Sequence, residues 1–502
     1  ADMSVAVAQQ RDPHIGYAYP AGGQLGSDFQ VTVGGQYLDD VSKAYISGDG
    51  VTVTFVSHKK PLSRKQQNDL RQKARDAQKR FQEQKGKKAG EGNKTLAEVL
   101  SEFGLSKKDL ENLAELKKQQ NDKKRQPNPA IEETVTLRVK IGKGAKCGER
   151  ELRLTTVAGM SNPIKFHVGK LAEYNKNDPN GNATLAGTIR PLPIVINGQI
   201  MPGDVDHFRF KARQGESIVI AAQARELIPY LADAVPGWFQ ATMHLFDAKG
   251  REVAYADDFR FHPDPVLFYQ IPEDGEYVLE IRDAIYRGRE DFVYRITVGE
   301  TPYVTNIFPL GGPVGSQSTV ELVGWNLPVD RATLNTESKT KGIHTISILD
   351  DLPVSNRVLF ALGALRETVE QEPNNTERDS QSVGPPLIIN GRIDYPGDQD
   401  VFKFQGRAGG EVVVEVQARR LNSPVDSFIR VTDADGNQLV ANDDYEDKGS
   451  GLTTHHADSF VQVTLPRSEV YHIHIGDTQE QGGNACAYRL RIGARQPDFE
   501  LR

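Results

Sequence analysis

The feature that most constrains the fold of this 502-residue chain is an internal repeat of two units, one short and one long, in alternation. The short unit begins YPAGGQLGSDFQVTVGGQYL at residues 19–38 and returns as FPLGGPVGSQSTVELVGWNL at residues 308–327. The copies also close alike, as SNPIKFHVGKL (161–171) and SNRVLFALGAL (355–365). A chain of this length that repeats itself is expected to contain several domains, each with its own core.

The long unit begins NGQIMPGDVDHFRF at Asn197 and NGRIDYPGDQDVFKF at Asn390. Three further landmarks follow in order: LFDAKGREVAYADD against VTDADGNQLVANDD, GEYVLEIRD against EVYHIHIGD, and FVYRITVG against AYRLRIG. Short runs of alternating apolar residues, separated by Gly, Asp and Asn, predict strands and tight turns. The sequence therefore predicts a mainly β protein of tandem antiparallel β-sandwich modules, immunoglobulin-like and jelly-roll-like, with one helical insertion.

Four domains follow from the repeats, and we name them by unit length and order. They are short sandwich 1 (12–171), long sandwich 1 (172–300), short sandwich 2 (301–366) and long sandwich 2 (367–502). No run of 18 apolar residues occurs, so no membrane span is expected. The two cysteines, Cys147 and Cys486, are too few for a disulfide framework or a cysteine zinc site.

The helical insertion is predicted at residues 62–126, where the sequence becomes rich in Lys, Gln, Glu and Ala. Thr95 with Glu98 and Ser106 with Asp109 have the spacing of helix capping boxes, which favours a hairpin or three short helices. Residues 58–126 hold 20 Lys and Arg against 10 Asp and Glu, whereas the whole chain has a net charge of −7. Such a basic segment is either a solvated helical face or a docking site for an anionic partner; no nucleic acid is expected.

Acidic residues gather where the long unit's first full strand begins. Since successive strand side chains alternate faces, Asp398 and Asp400 are expected on the side of Phe402 and Phe404, at the rim of the core. Buried carboxylates need donors, a basic partner or a cation, and calcium accepts six to eight oxygen ligands. The alternative is that these acids cap turns by bonding backbone amides.

The long units resemble the bacterial pre-peptidase C-terminal domain, through their acidic linker, GDxDxFxF, DADG...NDD and closing strand. The short units resemble immunoglobulin-like IPT/TIG modules, through the proline-glycine entry and the final Gly-x-x-Leu. This order of modules is similar to that of large secreted proteins of planctomycete-type bacteria. The resemblance implies a secreted or periplasmic protein, and the N-terminal ADMSVAVAQQ is what a chain would show after removal of a signal peptide.

The resemblance also implies a ligand set. In relatives such as clostridial collagen-binding modules, linker acids and a strand aspartate hold calcium. The matching residues in long sandwich 2 are Glu370, Glu372, Asn374 and Asn375, with Asp398 and Asp400 from the strand. In long sandwich 1, Lys176 replaces Glu370, Asp178 replaces Glu372 and Gly181 replaces Asn375, which argues against calcium there.

Two further groups could hold metal. Asp433, Asp435, Asp443 and Asp444 form a second acidic group, whose spacing falls short of a calcium loop and favours a hairpin turn. His472 and His474 share a strand face and could meet His455 or His456 in a transition-metal site; the alternative is exposed strand histidines.

We find no G-x-S-x-G, H-E-x-x-H, phosphate-binding loop or Cys/His nucleophile pattern, which favours a non-catalytic binding or scaffold protein. Its expected partner is a polysaccharide, a matrix polymer or another envelope protein. The alternative is an accessory part of a peptidase or glycan-degrading hydrolase. The aromatic residues considered for sugar stacking are Trp238, Tyr230, Phe259, Phe261 and Tyr445.

Overall fold

A computed structural model describes most of the chain in nine segments. These are residues 12–85, 95–121, 127–176, 186–188, 191–228, 237–337, 339–348, 356–446 and 455–495.

Short sandwich 1 consists of two facing sheets. Its strands are β1 (His14–Tyr19), β2 (Gly22–Gln24), β3 (Asp28–Gln36), β4 (Lys43–Ile46), β5 (Val51–Lys59), β6 (Glu133–Ile141), β7 (Gly148–Thr156), β8 (Gly159–Met160) and β9 (Ile164–Gly169). One sheet has the order β1-β3-β6-β5, the other β2-β9-β7-β4, and β8 pairs with β7. Alternate residues of β6, such as Val135, Leu137 and Val139, are fully buried, as the alternating sequence predicts.

The insertion leaves short sandwich 1 between β5 and β6 and forms three helices: α1 (Arg64–Lys85), α2 (Leu96–Glu102) and α3 (Lys107–Asn121). The capping box of Thr95 and Glu98 is present, and Ser106 and Asp109 exchange the corresponding hydrogen bonds. The helices bury a small cluster of their own, made of Leu70, Ala77, Val99, Leu105 and Leu113. Over residues 64–85 and 95–121, which the structure describes, the chain therefore adopts the three-helix alternative.

Long sandwich 1 contains two five-stranded sheets. Its strands are β10 (Ala172–Asn175), β11 (Ala186–Thr188), β12 (Ile194–Gln199), β13 (Val205–Ala212), β14 (Ser217–Gln223), β15 (Ala241–Phe246), β16 (Glu252–Ala256), β17 (Val266–Gln270), β18 (Gly275–Asp283) and β19 (Val293–Gly299). The sheet orders are β10-β12-β19-β14-β17 and β11-β13-β18-β15-β16.

Short sandwich 2 is the smaller of the two short sandwiches. Its strands are β20 (Tyr303–Phe308), β21 (Gly311–Pro313), β22 (Gln317–Trp325), β23 (Arg331–Asn335), β24 (Gly342–Ser347) and β25 (Arg357–Gly363). They form two three-stranded sheets, β20-β22-β23 and β21-β25-β24.

Long sandwich 2 repeats the architecture of long sandwich 1. Its strands are β26 (Glu367–Val369), β27 (Gln381–Ser382), β28 (Leu387–Arg392), β29 (Gln399–Gln405), β30 (Glu411–Gln417), β31 (Ser427–Thr432), β32 (Gln438–Asn442), β33 (Tyr445–Glu446), β34 (His455–His456), β35 (Phe460–Thr464), β36 (Val470–Asp477) and β37 (Ala487–Gly493). The orders β26-β28-β37-β30-β35 and β27-β29-β36-β31-β32 match the first copy strand for strand, and β33 pairs with β34.

The predicted mainly β fold of packed sheets is confirmed, whereas the domain boundaries stay predictions. Each short sandwich packs on the long sandwich that follows it. Leu227, Ile228 and Val293 join the core of short sandwich 1, and Leu421 and Ala487 join that of short sandwich 2. None of the helices among the described residues is long and apolar enough to cross a membrane.

The repeated Gly-Gly of the short units has a structural reason at this junction. A Cβ atom on Gly22 would lie 2.4 Å from the His167 carbonyl oxygen and 2.6 Å from Arg295, and one on Gly311 would lie 2.1 Å from the Ala361 carbonyl oxygen and 2.6 Å from Arg489. Each arginine comes from the following long sandwich, and both are almost fully buried. Glycine is therefore required where a neighbouring strand's carbonyl and the buried arginine of the next module both approach the backbone.

Candidate metal centre

The predicted calcium ligands lie where the linker after β26 crosses the start of β29. Asp398 and Asp400 are buried together with Phe402 and Phe404, as the alternation of strand side chains predicts. The linker is anchored to β29 by the Val401 N–H, which donates to the Asn374 carbonyl at 2.8 Å. Residues far apart in sequence thus reach one point of the sandwich.

Three carboxylates converge there. Glu370, Glu372 and Asp400 each place an oxygen within 4.8 Å of the other two. The Tyr488 hydroxyl lies 2.6 Å from Asp400 Oδ2 and 2.9 Å from Glu370 Oε2, and one hydroxyl proton serves only one of them at a time. The Arg392 backbone N–H donates to Glu370 Oε1 at 2.5 Å. No salt bridge to Lys or Arg is made by these three carboxylates within the described segments.

Asn374 closes the cluster, and it is fully buried. With its amide nitrogen turned inward, it donates to Glu372 Oε1 and Asp400 Oδ1 at 3.1 Å each. With its amide oxygen turned inward, three oxygens face one another, and such an arrangement needs a cation or a shared proton. The two orientations differ by rotation about one bond, and in the second the donor set of this site fits a calcium ion.

The other two predicted ligands contact each other beside the cluster. The Asn375 amide donates to Asp398 Oδ1 at 2.9 Å and also bonds the Tyr395 hydroxyl. Asp398 Oδ2 accepts the Asp394 backbone N–H at 2.8 Å. Asp398 and Asn375 thus perform the turn chemistry of the alternative hypothesis, while Glu370, Glu372, Asn374 and Asp400 form the centre.

Burial and mutual repulsion raise the pKa values of these acids. Burial, followed by the charge of Glu370, raises the pKa of Asp400 to about 10. Burial raises the pKa of Glu370 to about 7, and it also raises the pKa of Glu372. Without a cation the cluster therefore retains protons at neutral pH, because the sandwich offers no positive charge to hold all three acids ionised.

Long sandwich 1 has a different arrangement at the equivalent position. The Lys176 ammonium forms an ion pair with Asp206 and lies 3.5 Å from Asp204 Oδ2. Lys176 and Asp206 expose only 7% and 1% of their side chains. The Tyr294 hydroxyl donates to Asp206 Oδ2 at 2.6 Å, as Tyr488 does to Asp400. A lysine thus supplies positive charge where Glu370 would stand; Asp178 and Gly181 lie outside the described residues.

Sequence reasoning missed a second buried network that both long sandwiches share. In long sandwich 2, Arg489 holds Glu367 with two hydrogen bonds of 2.8 and 2.9 Å and Asn390 Oδ1 with one of 2.9 Å. In long sandwich 1, Arg295, Glu173 and Asn197 repeat these bonds at 2.7 to 3.0 Å. The signal was present in the repeat, since the NG and YR landmarks contain these asparagines and arginines.

The second acidic group forms a turn. Asp433 accepts the backbone N–H groups of Asp435 and Asn437, at 3.0 and 2.8 Å, and turns β31 into β32. Asp247 does the same for Lys249 and Arg251 in long sandwich 1. The hairpin-turn interpretation of this motif is therefore correct for Asp433 and Asp435.

The strand histidines are buried, contrary to the expectation of exposed histidines. His472 and His474 expose 8% and 6% of their surface. His474 lies 3.2 Å from Thr432 Oγ1 and 3.3 Å from the Arg430 guanidinium, and burial followed by this charge lowers its pKa to about 4. The arginine disfavours a metal there; the side chains of His455 and His456 lie outside the described residues.

Most of the aromatic residues considered for sugar stacking have partners within the chain. Phe259 packs edge-on against Tyr303 and Trp325 of short sandwich 2. The Arg419 guanidinium lies 3.7 Å from the ring centroid of Phe261, whose surface is still 47% exposed. Arg225 covers Trp238 at 3.6 Å, and Tyr445 packs against Phe460. Tyr230 lies outside the described residues.

Comparison with known proteins gives limited likenesses. No family model matches the chain. A probable subtilase-type serine protease of Deinococcus radiodurans is 33% identical over 102 residues, which are 19% of this chain and 14% of that protein. The chain thus spans about one seventh of that relative's length.

Similar solved structures include the pre-peptidase C-terminal domain of a Bacillus anthracis collagenase, which is 16% identical in sequence. The match covers 24% of this chain and 99% of that one, with a TM-score of 0.17. Another is a periplasmic inhibitor of g-type lysozyme from Aeromonas hydrophila, with 12% identity, 26% and 95% coverage and a TM-score of 0.16. The Bacteroides ovatus mixed-linkage glucan protein SGBP-B has 10% identity, 94% and 72% coverage and a TM-score of 0.15. Such TM-scores carry no argument about function, and the IPT/TIG resemblance stays a prediction.

Proposed function

We propose that this chain is a non-catalytic, secreted or periplasmic binding and scaffold protein, in which calcium stabilises long sandwich 2. One observation carries the proposal: Glu370, Glu372 and Asp400 converge at a site that runs from the surface to the buried Asp400, and within the described residues they make no ion pair with Lys or Arg, whereas Lys176 occupies the equivalent place in long sandwich 1. Long sandwich 1 thus supplies a positive charge at this point, whereas the acids of long sandwich 2 can ionise together only if a cation joins them.

Four residues would hold the ion. Carboxylate oxygens of Glu370, Glu372 and Asp400 and the amide oxygen of Asn374 are the hard oxygen donors that calcium prefers. When bound, calcium supplies positive charge that allows all three acids to ionise together. The Tyr488 hydroxyl and the Arg392 N–H orient the carboxylates by their hydrogen bonds.

The centre is connected to the junction with short sandwich 2 through Arg392. Its backbone N–H bonds Glu370, while its guanidinium bonds Glu321 at 2.8 Å and lies 3.8 Å from the ring centroid of Phe308. Fixing Glu370 therefore also fixes the strand end that touches the preceding module. Calcium would stabilise the orientation of two modules as well as the linker.

Calorimetric titration and thermal melting of the full chain test this proposal. Extracellular calcium sites have dissociation constants of about 0.1 to 1 mM, so 1 mM calcium should stabilise the chain by about 0.4 to 1.4 kcal/mol. Asp400→Asn should abolish the response, and Asp433→Asn, in the turn outside the centre, should leave it. Absence of calcium binding to the unaltered chain, or an equal response from Asp400→Asn, would refute the metal centre.

Binding is tested separately by retention on insoluble polysaccharide, collagen and a polyanion resin at low and moderate salt. Retention through the basic insertion should fall steeply with salt, whereas retention on neutral polymer should vary little. Retention on none of the polymers would favour an envelope protein as the partner.

A second candidate function is an accessory part of a hydrolase. It is favoured by the 33% identity over 102 residues to a probable subtilase-type serine protease. A turnover screen with peptide and glycan substrates separates the two, since the binding protein is expected to retain polymer without releasing product. Product formation that requires residues of this chain would overturn the non-catalytic proposal.

A further inference from the structure

The outer face of the β11-β13-β18-β15-β16 sheet in long sandwich 1 presents two exposed tyrosines. Tyr255 in β16 is 48% exposed, and Tyr286, just after β18, is 55% exposed. Ile285 beside Tyr286 is 70% exposed. Apolar side chains of this size are ordinarily turned inward, so a group on one face calls for an explanation.

A continuous row of polar side chains crosses the sheet from Tyr255. Strand register places Tyr255 opposite His244, His244 opposite Glu280, and Glu280 opposite His207, so all four project from the same face. The His244 ring lies 4.7 Å from that of Tyr255, and its Nε2 is 3.2 Å from Arg282. Arg282 in turn lies 4.6 Å from the Tyr286 ring centroid, which joins both tyrosines into one surface.

Two acids of this surface are paired with basic side chains. Glu280 lies 2.9 Å from His207 and 3.3 Å from Arg282, and Glu252 lies 2.9 Å from His244. A third acid, Asp257, is exposed beside the Tyr255 hydroxyl, so the surface is acidic rather than basic. This charge disfavours a polyanion, and the fixed donors and acceptors suit a neutral ligand with many hydroxyl groups.

Long sandwich 2 shows that the fold does not need these tyrosines. At the positions equivalent to Tyr255 and Tyr286 it carries Ala441 and Glu480, and Gly476 replaces Arg282. The turn geometry is the same, since Tyr286 and Glu480 both have left-handed backbones, with φ of 59° and 55°. A bulky residue is uncommon in that conformation, so retaining a tyrosine there needs a reason other than the turn.

We infer that this tyrosine surface binds a neutral polysaccharide, with sugar rings stacked on Tyr255 and Tyr286 and hydroxyls hydrogen-bonded to Arg282 and Glu280. A tyrosine ring offers a flat apolar face with low conformational entropy, which matches the apolar face of a pyranose. The surrounding charged groups accept and donate hydrogen bonds in fixed positions. The inference rests on the proposed binding function and names its site and ligand class.

Affinity electrophoresis of the full chain tests it, with gels that contain mixed-linkage β-glucan, xylan, galactomannan or soluble starch. The unaltered chain should be retarded by at least one of them. Tyr255→Ala and Tyr286→Asn should each weaken binding roughly three- to tenfold, and the double variant should abolish retardation. Asparagine tolerates the left-handed backbone, and Phe55→Ala removes an exposed aromatic from β5 as the matched control.

The outcomes separate this inference from the proposed function. Circular dichroism and the calcium-dependent melting shift, measured on the same variants, verify that they are folded. Unchanged retardation of the double variant, or no retardation of the unaltered chain by any of these neutral polysaccharides, overturns the tyrosine surface even if calcium binds. If the unaltered chain shows no calcium-dependent melting shift but is still retarded by a polysaccharide, only the metal centre is overturned.

Discussion

The two long sandwiches have the same strand order and the same buried arginine network, but they differ in one buried charge. In the first copy Lys176 neutralises Asp206 from within the chain. In the second copy Glu370 adds a further carboxylate beside Asp400. The comparison shows two sources of positive charge beside the buried aspartate: the Lys176 ammonium in the first copy and, as we propose, a bound cation in the second.

The two sources of positive charge make the stability of the two sandwiches depend differently on calcium. A lysine that belongs to the chain is present whenever the chain is folded, so long sandwich 1 should be indifferent to calcium. An ion with a dissociation constant of about 0.1 to 1 mM is bound only where calcium is abundant, as outside cells. Long sandwich 2 should therefore reach full stability only under extracellular conditions.

Replacing the internal ammonium should produce the largest effect. Lys176→Met leaves Asp206 buried without its partner, and removing one member of a buried ion pair costs about 3 to 5 kcal/mol of unfolding free energy. Denaturant unfolding at neutral pH measures the loss. Because burial already raises the pKa of Asp206, protonation at acidic pH should recover part of it.

Lys165→Met is the matched control for that variant. Lys165 also contacts two acids, Glu149 at 3.2 Å and Glu226 at 3.1 Å, but its side chain is 30% exposed. We expect a loss of no more than about 1 kcal/mol there, as for other solvent-screened pairs. Equal losses from the two variants would mean that burial does not distinguish Lys176.

The second prediction concerns pH in calcium-free buffer. The pKa of Glu370 rises from its usual 4.5 to about 7 in the folded chain, and that of Asp400 rises from 3.8 to about 10. Groups with raised folded pKa values stabilise the fold below their unfolded pKa and lose that contribution as pH rises. Stability of long sandwich 2 should thus fall as pH rises from about 4 to about 10, most steeply between about pH 4.5 and pH 7 where both acids contribute, by up to about 1.4 kcal/mol per pH unit for each proton released.

Melting of the full chain against pH, with and without calcium, measures this dependence. Calcium binding needs ionised acids, so the calcium-induced shift should grow as pH rises over the same window. Glu370→Gln should make the calcium-free profile shallower between about pH 4.5 and pH 7, since the amide does not titrate and only Asp400 still contributes. A calcium-free chain that gains stability from pH 4.5 to pH 7 in this transition would contradict the assignment.

The third prediction replaces the proposed bound cation of long sandwich 2 by a lysine ammonium, as in long sandwich 1. Glu370→Lys in long sandwich 2 reproduces the residue type of long sandwich 1 and should remove the calcium stabilisation of about 0.4 to 1.4 kcal/mol at 1 mM. Calcium titration by calorimetry provides the measurement. Glu377→Lys makes the same charge change at a residue of the same linker with a 41% exposed side chain and should leave the calcium response in place.

Repeats and alternation predicted the sandwich architecture because each strand's burial is written in its own sequence, as β6 and β29 show. The insertion was also readable, since a capping box such as Thr95 with Glu98 is local. The alignment of the two repeats alone placed Lys176 at the position of Glu370. Local patterns and internal comparison were therefore sufficient for these features.

Features that depend on contacts between distant segments were not predictable. Tyr488 and Arg392 complete the centre, but no spacing rule joins residue 370 to residue 488. Phe259 and Phe261 were considered for sugar stacking because an aromatic beside a turn gives no sign of what covers it. Their partners lie in other modules, and module orientation cannot be derived from strand patterns.

The smallest effect is expected from the region that resembles neither copy, the helical insertion. Residues 63–125 can be replaced by a short Gly/Ser linker because β5 and β6 are paired neighbours, with Lys59 opposite Thr134. The insertion buries an apolar cluster of its own. Its ion pair to β5, between Lys59 and Glu115, is about half exposed. Surface pairs of this kind contribute about 0 to 1 kcal/mol, so the unfolding free energy of the sandwiches should change by no more than that.

Circular dichroism of the deletion variant should lose helical signal and keep strand signal. The calcium-induced melting shift and the loss of stability caused by Lys176→Met should be unchanged. The linker must leave Ile131 in place, since it is buried in the core of short sandwich 1. An insoluble product, or a loss of several kcal/mol, would show that the insertion supports the sandwiches on which the comparison depends.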